Sequence, residues 1–156
     1  MSTPTFHAIV DWLRREHVPF RHVTHQPTFT SEESAAARGE PVRVGGKALV
    51  VKVGDDFRLF VLSAALKFDS AAVKQRFGVK KTRFADKDEL LALTGLVPGS
   101  VPPFGEPILR LPLYVDPSIL ANEVIAFNAG SLTDSVIMPV ADYVRLAKPE
   151  VIAFAQ

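Results

Sequence analysis

The chain contains no cysteine. Disulfides, thiolate zinc sites and cysteine nucleophiles are therefore excluded, and the composition is compatible with a reducing compartment. No apolar run is long enough to cross a bilayer. Asp11, Arg14, Arg15 and Glu16 break up the N-terminal segment and leave no continuous apolar core of a secretory signal. A cytoplasmic protein with no membrane partner is the expectation. Net charge is also scarce: 18 Lys and Arg against 17 Asp and Glu give +1, too little to coat nucleic acid by bulk electrostatics. What is present is 156 residues at 47% hydrophobic content, enough for one globular domain over 1–156 with a sizeable core. The chain shows no internal repeat, linker or low-complexity tract.

Several familiar sites fail on inspection. Gly45-Gly46-Lys47 is a phosphate-loop fragment, but Pro41 stands where the first glycine belongs and Ala48 replaces the magnesium-binding Ser/Thr. Ser100 does not sit in a Gly-x-Ser-x-Gly elbow. His22 and His25 fall three apart on an expected strand, which points them to opposite faces, and no HExxH or paired ligand set exists. Ordinary structural or surface roles are expected for both.

Phe6, Ile9, Val10 and Leu13 recur at helical spacing, so 3–16 reads as an amphipathic helix stopped by Pro19. Phe20–Thr24 is a short strand. Thr30 with Glu33 makes a capping box for a helix ending at Gly39. Lys47–Val53 and Phe57–Leu62 form a hairpin around Gly54-Asp55-Asp56. Asp69 caps a helix over Ser70–Phe77, and Asp86 with Glu89 opens another that ends at Gly95. Strands follow at Ile108–Leu111, Leu113–Val115, Val124–Asn128 and Val136–Met138, with a last helix over Ala141–Lys148. Frequent short strands among scattered helices predict a mixed α/β or α+β domain, not a doubly wound sheet.

Gly99-Ser100-Val101-Pro102-Pro103-Phe104-Gly105 is the most distinctive segment. Two glycines bracket two prolines and an aromatic, which makes a stiff loop with Phe104 as an apolar anchor. It is either a rigid connection or a presenter of the Gly99, Ser100 and Val101 N–H groups to an oxyanion. A second local feature is Lys74, Arg76, Lys80, Lys81 and Arg83, with no acid between Ser70 and Ala85. Such a strip binds a few phosphates or forms a solvated helix face and turn.

Lys47 opening the apolar strand Ala48-Leu49-Val50-Val51, the Gly99–Gly105 loop, Tyr114-Val115-Asp116-Pro117-Ser118 and Phe127-Asn128-Ala129-Gly130 occur in that order. In order and spacing these segments resemble the YbaK/ProX family of free-standing aminoacyl-tRNA deacylases, related to the editing domain of bacterial prolyl-tRNA synthetases. The resemblance covers about Phe20 to Lys148. It implies a compact domain with a curved, barrel-like mixed sheet surrounded by helices. The implied activity is hydrolysis of the ester joining a wrong small amino acid to the 3′ adenosine of a tRNA, with no metal and no organic cofactor. The implied partners are mischarged tRNA, through its terminal adenosine and acceptor stem, and a synthetase docked alongside.

An aminoacyl ester is already activated, so such an enzyme needs to hold the ester, place a water and stabilise the oxyanion. The family's catalytic lysine maps onto Lys47, as an ammonium anchoring a phosphate or the ester oxygens, or as a desolvated base. Gly99 and Ser100 are the expected amide donors, and the substrate's ribose hydroxyl offers a path for the proton. Asn128, Ala129 and Gly130, with Pro103 and Phe104, are expected at the amino-acid pocket. Asp116 either binds the α-ammonium or caps a turn before Pro117. Thr30 closes the pocket, whereas Phe29 beside it reads as core packing. Lys74, Arg76, Lys80, Lys81 and Arg83 are the expected tRNA contacts. The inserted domains carry a histidine near the position of Ser135, which this chain lacks. Ala126–Gly130 with Asp142-Tyr143 and Lys148-Pro149-Glu150 looks closest to the YeaK-like branch, associated with serine and threonine; other branches remove alanine or cysteine. The alternatives are a non-catalytic tRNA- or small-ligand-binding module of the same fold, and a hydrolase of other small acyl esters.

Overall fold

The computed structural model describes residues 3–156. Helix α1 (Pro4–Arg15) starts where Thr3 Oγ1 accepts the Phe6 N–H at 3.0 Å, with Pro4 inside the first turn. Its apolar stripe, Phe6, Ile9, Val10 and Leu13, is buried together with Trp12. Strand β1 (Arg21–Thr24) follows, then α2 (Ser31–Arg38), entered through the Thr30–Glu33 capping box and closed by Gly39. A single 3-10 turn at Val42–Val44 leads into β2 (Gly46–Val53) and β3 (Asp56–Ser63), paired in antiparallel register from Gly46↔Ser63 to Val53↔Asp56.

Next come α3 (Ser70–Phe77), β4 (Thr82–Phe84) and α4 (Lys87–Thr94). After the glycine-proline loop the chain continues as β5 (Leu113–Val115), α5 (Pro117–Leu120), β6 (Val124–Asn128), β7 (Asp134–Pro139), α6 (Val140–Ala147) and β8 (Glu150–Val151). Three of these elements escape a reading of the sequence. β4 falls where a basic turn is expected, because three residues carry no period and form a strand only by pairing with Val51–Val53 of β2. α5 and β8 are too short for any pattern.

The strands form two sheets, β1-β7-β6 and β4-β2-β3-β5-β8. The expected barrel-like sheet is thus corrected to two open sheets, joined at the bridge between Gly45 and Ala126. A Cβ on Gly46 would stand 2.6 Å from Ile125 Cδ1, so only glycine lets β2 approach β6 this closely. Ile108–Leu111 is likewise not a strand: the Ile108 and Leu109 amides both donate to Gly105 O at 2.9 Å, which spends on a local turn the donors a sheet needs.

Both faces of the larger sheet are covered. Val50, Leu59, Val61 and Val115 face the main core with α1, α6 and Phe104, while Val51, Val53, Phe60 and Leu62 pack with Val73, Tyr114 and Phe154. This double burial explains the unbroken apolar runs of β2 and β3. The start of β2 lies at the seam of the two sheets, and there the candidate site forms.

Candidate active site

A cleft of about 310 Å³ opens at this seam. One wall is the face of α2 that carries Ser31, Ser34, Ala35 and Arg38, which recur at helical spacing. The opposite wall is Gly45–Leu49, and Gly99, Val101, Ala126 and Asn128 complete it.

Lys47 stands in the cleft and donates from Nζ to Leu66 O at 2.9 Å. Burial, and then the charge of Lys67, hold its pKa below the ordinary lysine value. Arg38 is 8% exposed and lies on the same cleft. Its Nε donates to Ser135 Oγ at 2.9 Å and its Nη2 to Asn128 Oδ1 at 3.1 Å. Desolvation lowers its pKa to about 10. The carboxylate on the lining, Glu40, accepts from Arg21 Nη2 at 2.8 Å. The cleft therefore presents two cations and a carboxylate already neutralised, a field that suits an anion or a developing oxyanion.

Val97-Pro98-Gly99-Ser100 forms a turn with proline second and glycine third; Gly99 has φ +88°, and Ser100 N–H closes it on Val97 O at 3.1 Å. This is type II turn chemistry. The Gly99 carbonyl accepts from Asn128 Nδ2 at 2.7 Å, and Asn128 Oδ1 accepts from Arg38 and, at 3.1 Å, from Ser135 Oγ. The amide orientation of Asn128 is fixed by chemistry, since a guanidinium only donates and a carbonyl only accepts. A chain of bonds thus runs from Arg38 through Asn128 to the catalytic-loop candidate Gly99.

The structure sorts the expected residues. Lys47, Gly99, Thr30 and Asn128 line the cleft. Ser100 does not: it is buried, its N–H serves the turn and its hydroxyl donates to Val97 O at 2.8 Å. Its amide is thereby removed as an oxyanion donor. The N–H groups of Gly99 and Val101 keep no acceptor among the described residues. Phe104 is fully buried among Trp12, Phe127 and Tyr143, with ring centroids 5.3–5.4 Å apart. Pro103 O accepts from the buried Tyr143 hydroxyl at 2.6 Å. Both belong to the core behind the loop, not to the cleft.

Of the two readings of Asp116, the cap is what forms. Its Oδ2 accepts from Ser118 N at 2.9 Å and its Oδ1 from Phe154 N and Ala155 N at 2.8 and 3.1 Å. Ala129 is buried and its N–H donates to Asp134 O at 2.9 Å, while Gly130 O accepts from Thr3 Oγ1 at 2.7 Å. Those two hold the β6–β7 connection against α1 rather than line the cleft. Phe29 reverses expectation in the other direction. It is 90% exposed at the cleft: it precedes the Thr30 N-cap, and Ser34, at the helix position against which such a residue would pack, offers no apolar side chain.

The basic strip lies elsewhere. β4 pairs with the far end of β2, about 13–20 Å along the strand from Lys47 by strand rise. Arg76 is paired with Glu150 at 2.8 Å. Arg83 is doubly bonded to Glu89 at 2.7 and 2.9 Å, which holds that carboxyl down at about 2. Lys74, Lys80 and Lys81 have no ion pair among the described residues, and Lys80 and Lys81 are exposed.

Sequence reasoning missed Arg38, Ser135 and His25 as neighbours. His25 follows the last residue of β1, and its Nε2 lies 2.8 Å from Ser135 Oγ; His22 Nε2 lies 2.7 Å from Asp134 Oδ1. Arginine ending a short helix ordinarily reads as a solvated charge favourable to the helix dipole. Only its spacing from Ser31 and Ser34 signals a shared face. Among the described residues, no group of three or more His, Asp or Glu side chains is placed to hold a metal. No helix among them is long and apolar enough to cross a membrane.

Residues 25–146 match the model of a family described as an aminoacyl-tRNA editing domain. The chain is 36% identical over 156 residues to a multifunctional Ser/Thr-tRNA deacylase, ProXp-y, of Escherichia coli K12, covering 96% of this chain and 92% of that protein. It is 35% identical over 101 residues to a proline–tRNA ligase of Shouchella clausii, spanning 65% of this chain but 18% of the ligase. A solved structure described as a candidate trans-editing enzyme for prolyl tRNA synthetase superposes with a TM-score of 0.83 at 24% identity, over 100% of this chain and 99% of that one.

Proposed function

The chain belongs to the aminoacyl-tRNA editing domain family, and from that premise we propose that it hydrolyses the ester of mischarged tRNAs carrying a small amino acid, serine or threonine first. The observation that carries this reading is the cleft itself: Lys47, Arg38 and the Asn128-held Gly99 turn converge where the lining's acid is already paired.

In the proposed reaction a water oxygen attacks the ester carbonyl, the bond to the ribose oxygen breaks, and that oxygen takes up a proton. Free amino acid and tRNA with an intact 3′ end result. The free N–H groups of Gly99 and Val101 face the developing oxyanion, and one such donor is worth about 3–4 kcal/mol of barrier. Lys47 acts as an ammonium: with one hydrogen on Leu66 O, two remain for the terminal phosphate or the ester oxygens. Phe29 offers an exposed ring for the terminal adenine, a stack worth about 1–3 kcal/mol. Lys80 and Lys81 lie beyond the far end of β2, a placement suited to the acceptor stem rather than to the 3′ end.

Release of amino acid from tRNAs charged with Ser, Thr, Ala, Cys and Pro tests the proposal. Hydrolysis of at least one, lost in Lys47→Ala with the fold intact, is the expected result. Binding of charged tRNA without release would instead make the chain a binding module of this fold. Equal cleavage of free aminoacyl esters would make tRNA incidental.

A further inference from the structure

Arg38 is the cleft cation to which the reaction above gives no step. Five exposed or half-buried arginines are paired: Arg21 with Glu40, Arg58 with Asp56, Arg76 with Glu150, Arg83 with Glu89 and Arg145 with Asp142. Arg38, more deeply buried than any of them, has no carboxylate partner among the described residues. A buried charge without a counter-charge is costly unless something arrives to meet it.

Its geometry says what can arrive. Nε and Nη2 are pinned to Ser135 and Asn128, so the guanidinium cannot turn. Nη1 has no acceptor among the described residues. A Cβ built on Gly45 would stand 3.0 Å from Ala64 Cβ, 3.2 Å from Val42 O and 3.6 Å from Arg38 Nη1. At this wall of the cleft a donor and an acceptor flank a glycine, with the small Ala64 and Ala126 beside it. A group with one oxygen that both accepts and donates fits this arrangement. Val42 O already accepts the Gly45 N–H at 3.0 Å and keeps its second lone pair for a further hydrogen, which a phosphate diester does not carry. An α-ammonium would meet like charge.

We infer that Arg38 is a specificity-determining residue that reads the side-chain hydroxyl of the bound amino acid, with Nη1 donating to that oxygen and Val42 O accepting its hydrogen. This rests on the editing reading for its substrate class. Nη1 opens on the cleft, so an alanyl group that closes over it leaves it unmatched, and a site built around a hydroxyl rejects the analogue that lacks it far better than an apolar pocket rejects an added one. Selection for serine and threonine over alanine then comes from a donor held in place by Ser135 and Asn128.

The test uses the full chain and amide-linked 3′-seryl-, 3′-threonyl- and 3′-alanyl-adenosine, which do not hydrolyse, with binding read by calorimetry. Single-turnover deacylation of Ser-, Thr- and Ala-tRNA runs in parallel. Wild type is expected to prefer the hydroxyl-bearing analogues by about tenfold or more. Arg38→Gln and Arg38→Lys should bring that ratio to within about twofold, mainly by weakening the seryl and threonyl ligands. Gly45→Ala, which sets a methyl 3.6 Å from Nη1 and between it and Val42 O while keeping the charge, should do the same and covers the case in which Arg38 variants lose their fold by circular dichroism. A wild type with no preference, or folded variants that keep it, overturns the inference. Preference in binding with no hydrolysis of any charged tRNA would refute the editing reading while leaving the hydroxyl-reading role standing.

Discussion

The side-chain amide of Asn128 on β6 holds the Gly99 carbonyl at 2.7 Å, 29 residues away in sequence. The bond fixes the face that the type II turn shows to the cleft. Because Arg38 and Ser135 occupy the other end of the amide, the turn and the cleft wall behave as one unit. Asn128→Asp replaces a donor with an acceptor facing the Gly99 carbonyl, at a cost of about 1–3 kcal/mol. Deacylation should fall by about tenfold to a hundredfold, with a modest drop in melting temperature, measured by kinetics and thermal denaturation on the same preparation.

Lys47 has a pKa below the ordinary lysine value, and this sets the pH behaviour. If the ammonium is the working form, the rate, corrected for spontaneous ester hydrolysis, should decline on the alkaline side before the ordinary lysine pKa is reached. Lys47→Arg should move that decline to higher pH. A rate that rises through the same range would identify the neutral amine as a base instead. For stability the sign is opposite to that of a cation gaining a partner. The unfolded chain holds the Lys47 proton more tightly, so stability increases with pH between the folded and unfolded pKa values.

Phe104 separates core from pocket. With its ring fully buried against Trp12, Phe127 and Tyr143, Phe104→Ala should destabilise by about 3–5 kcal/mol in urea denaturation. The KM of the remaining folded fraction should change little. A large rise in KM without loss of stability would return Phe104 to the substrate.

Asp116 makes a parallel case. Its carboxylate accepts three backbone N–H groups, one at the start of α5 and two at the C-terminal Phe154-Ala155 segment. Asp116→Ala should cost a few kcal/mol, on the scale of about 1.5–3 for a bond to a charged group. A substrate role would instead show as weakened binding in a protein of normal stability.

The basic strip divides by pairing. Neutralising Lys80 and Lys81 should weaken tRNA binding and flatten the slope of log K against log salt by up to about two. Arg76→Gln and Arg83→Gln should have less effect, since Glu150 and Glu89 already hold those guanidinium groups. Filter binding across a salt series distinguishes the pairs.

Much of the fold was legible in the sequence because its signals are local. The Thr30–Glu33 and Asp86–Glu89 capping boxes form as the residue spacing dictates, and the hairpin closes around Gly54. Elements created by a neighbour were not legible: β4 exists because the edge of β2 offers it partners, and Ile108–Leu111 fails as a strand because Gly105 O takes two of its amides. Part of the site was legible in the same way. The glycine-proline turn stands out by residue type and Lys47 through the family resemblance, whereas Arg38 and Phe29 look like a helix-end charge and a core aromatic.

By itself the sequence determined where helices begin and end, which strands alternate or run apolar, and that a proline-glycine turn would be rigid. Backbone dihedral preferences and short-range hydrogen bonds decide those features. Only the tertiary structure decided that Asn128 holds the Gly99 turn at the cleft, that Asp116 is spent on two distant amides, and that Arg38 is buried without an acid. Each depends on a partner tens of residues away, and desolvation and hydrogen-bond competition come into being only once the chain has brought those partners together.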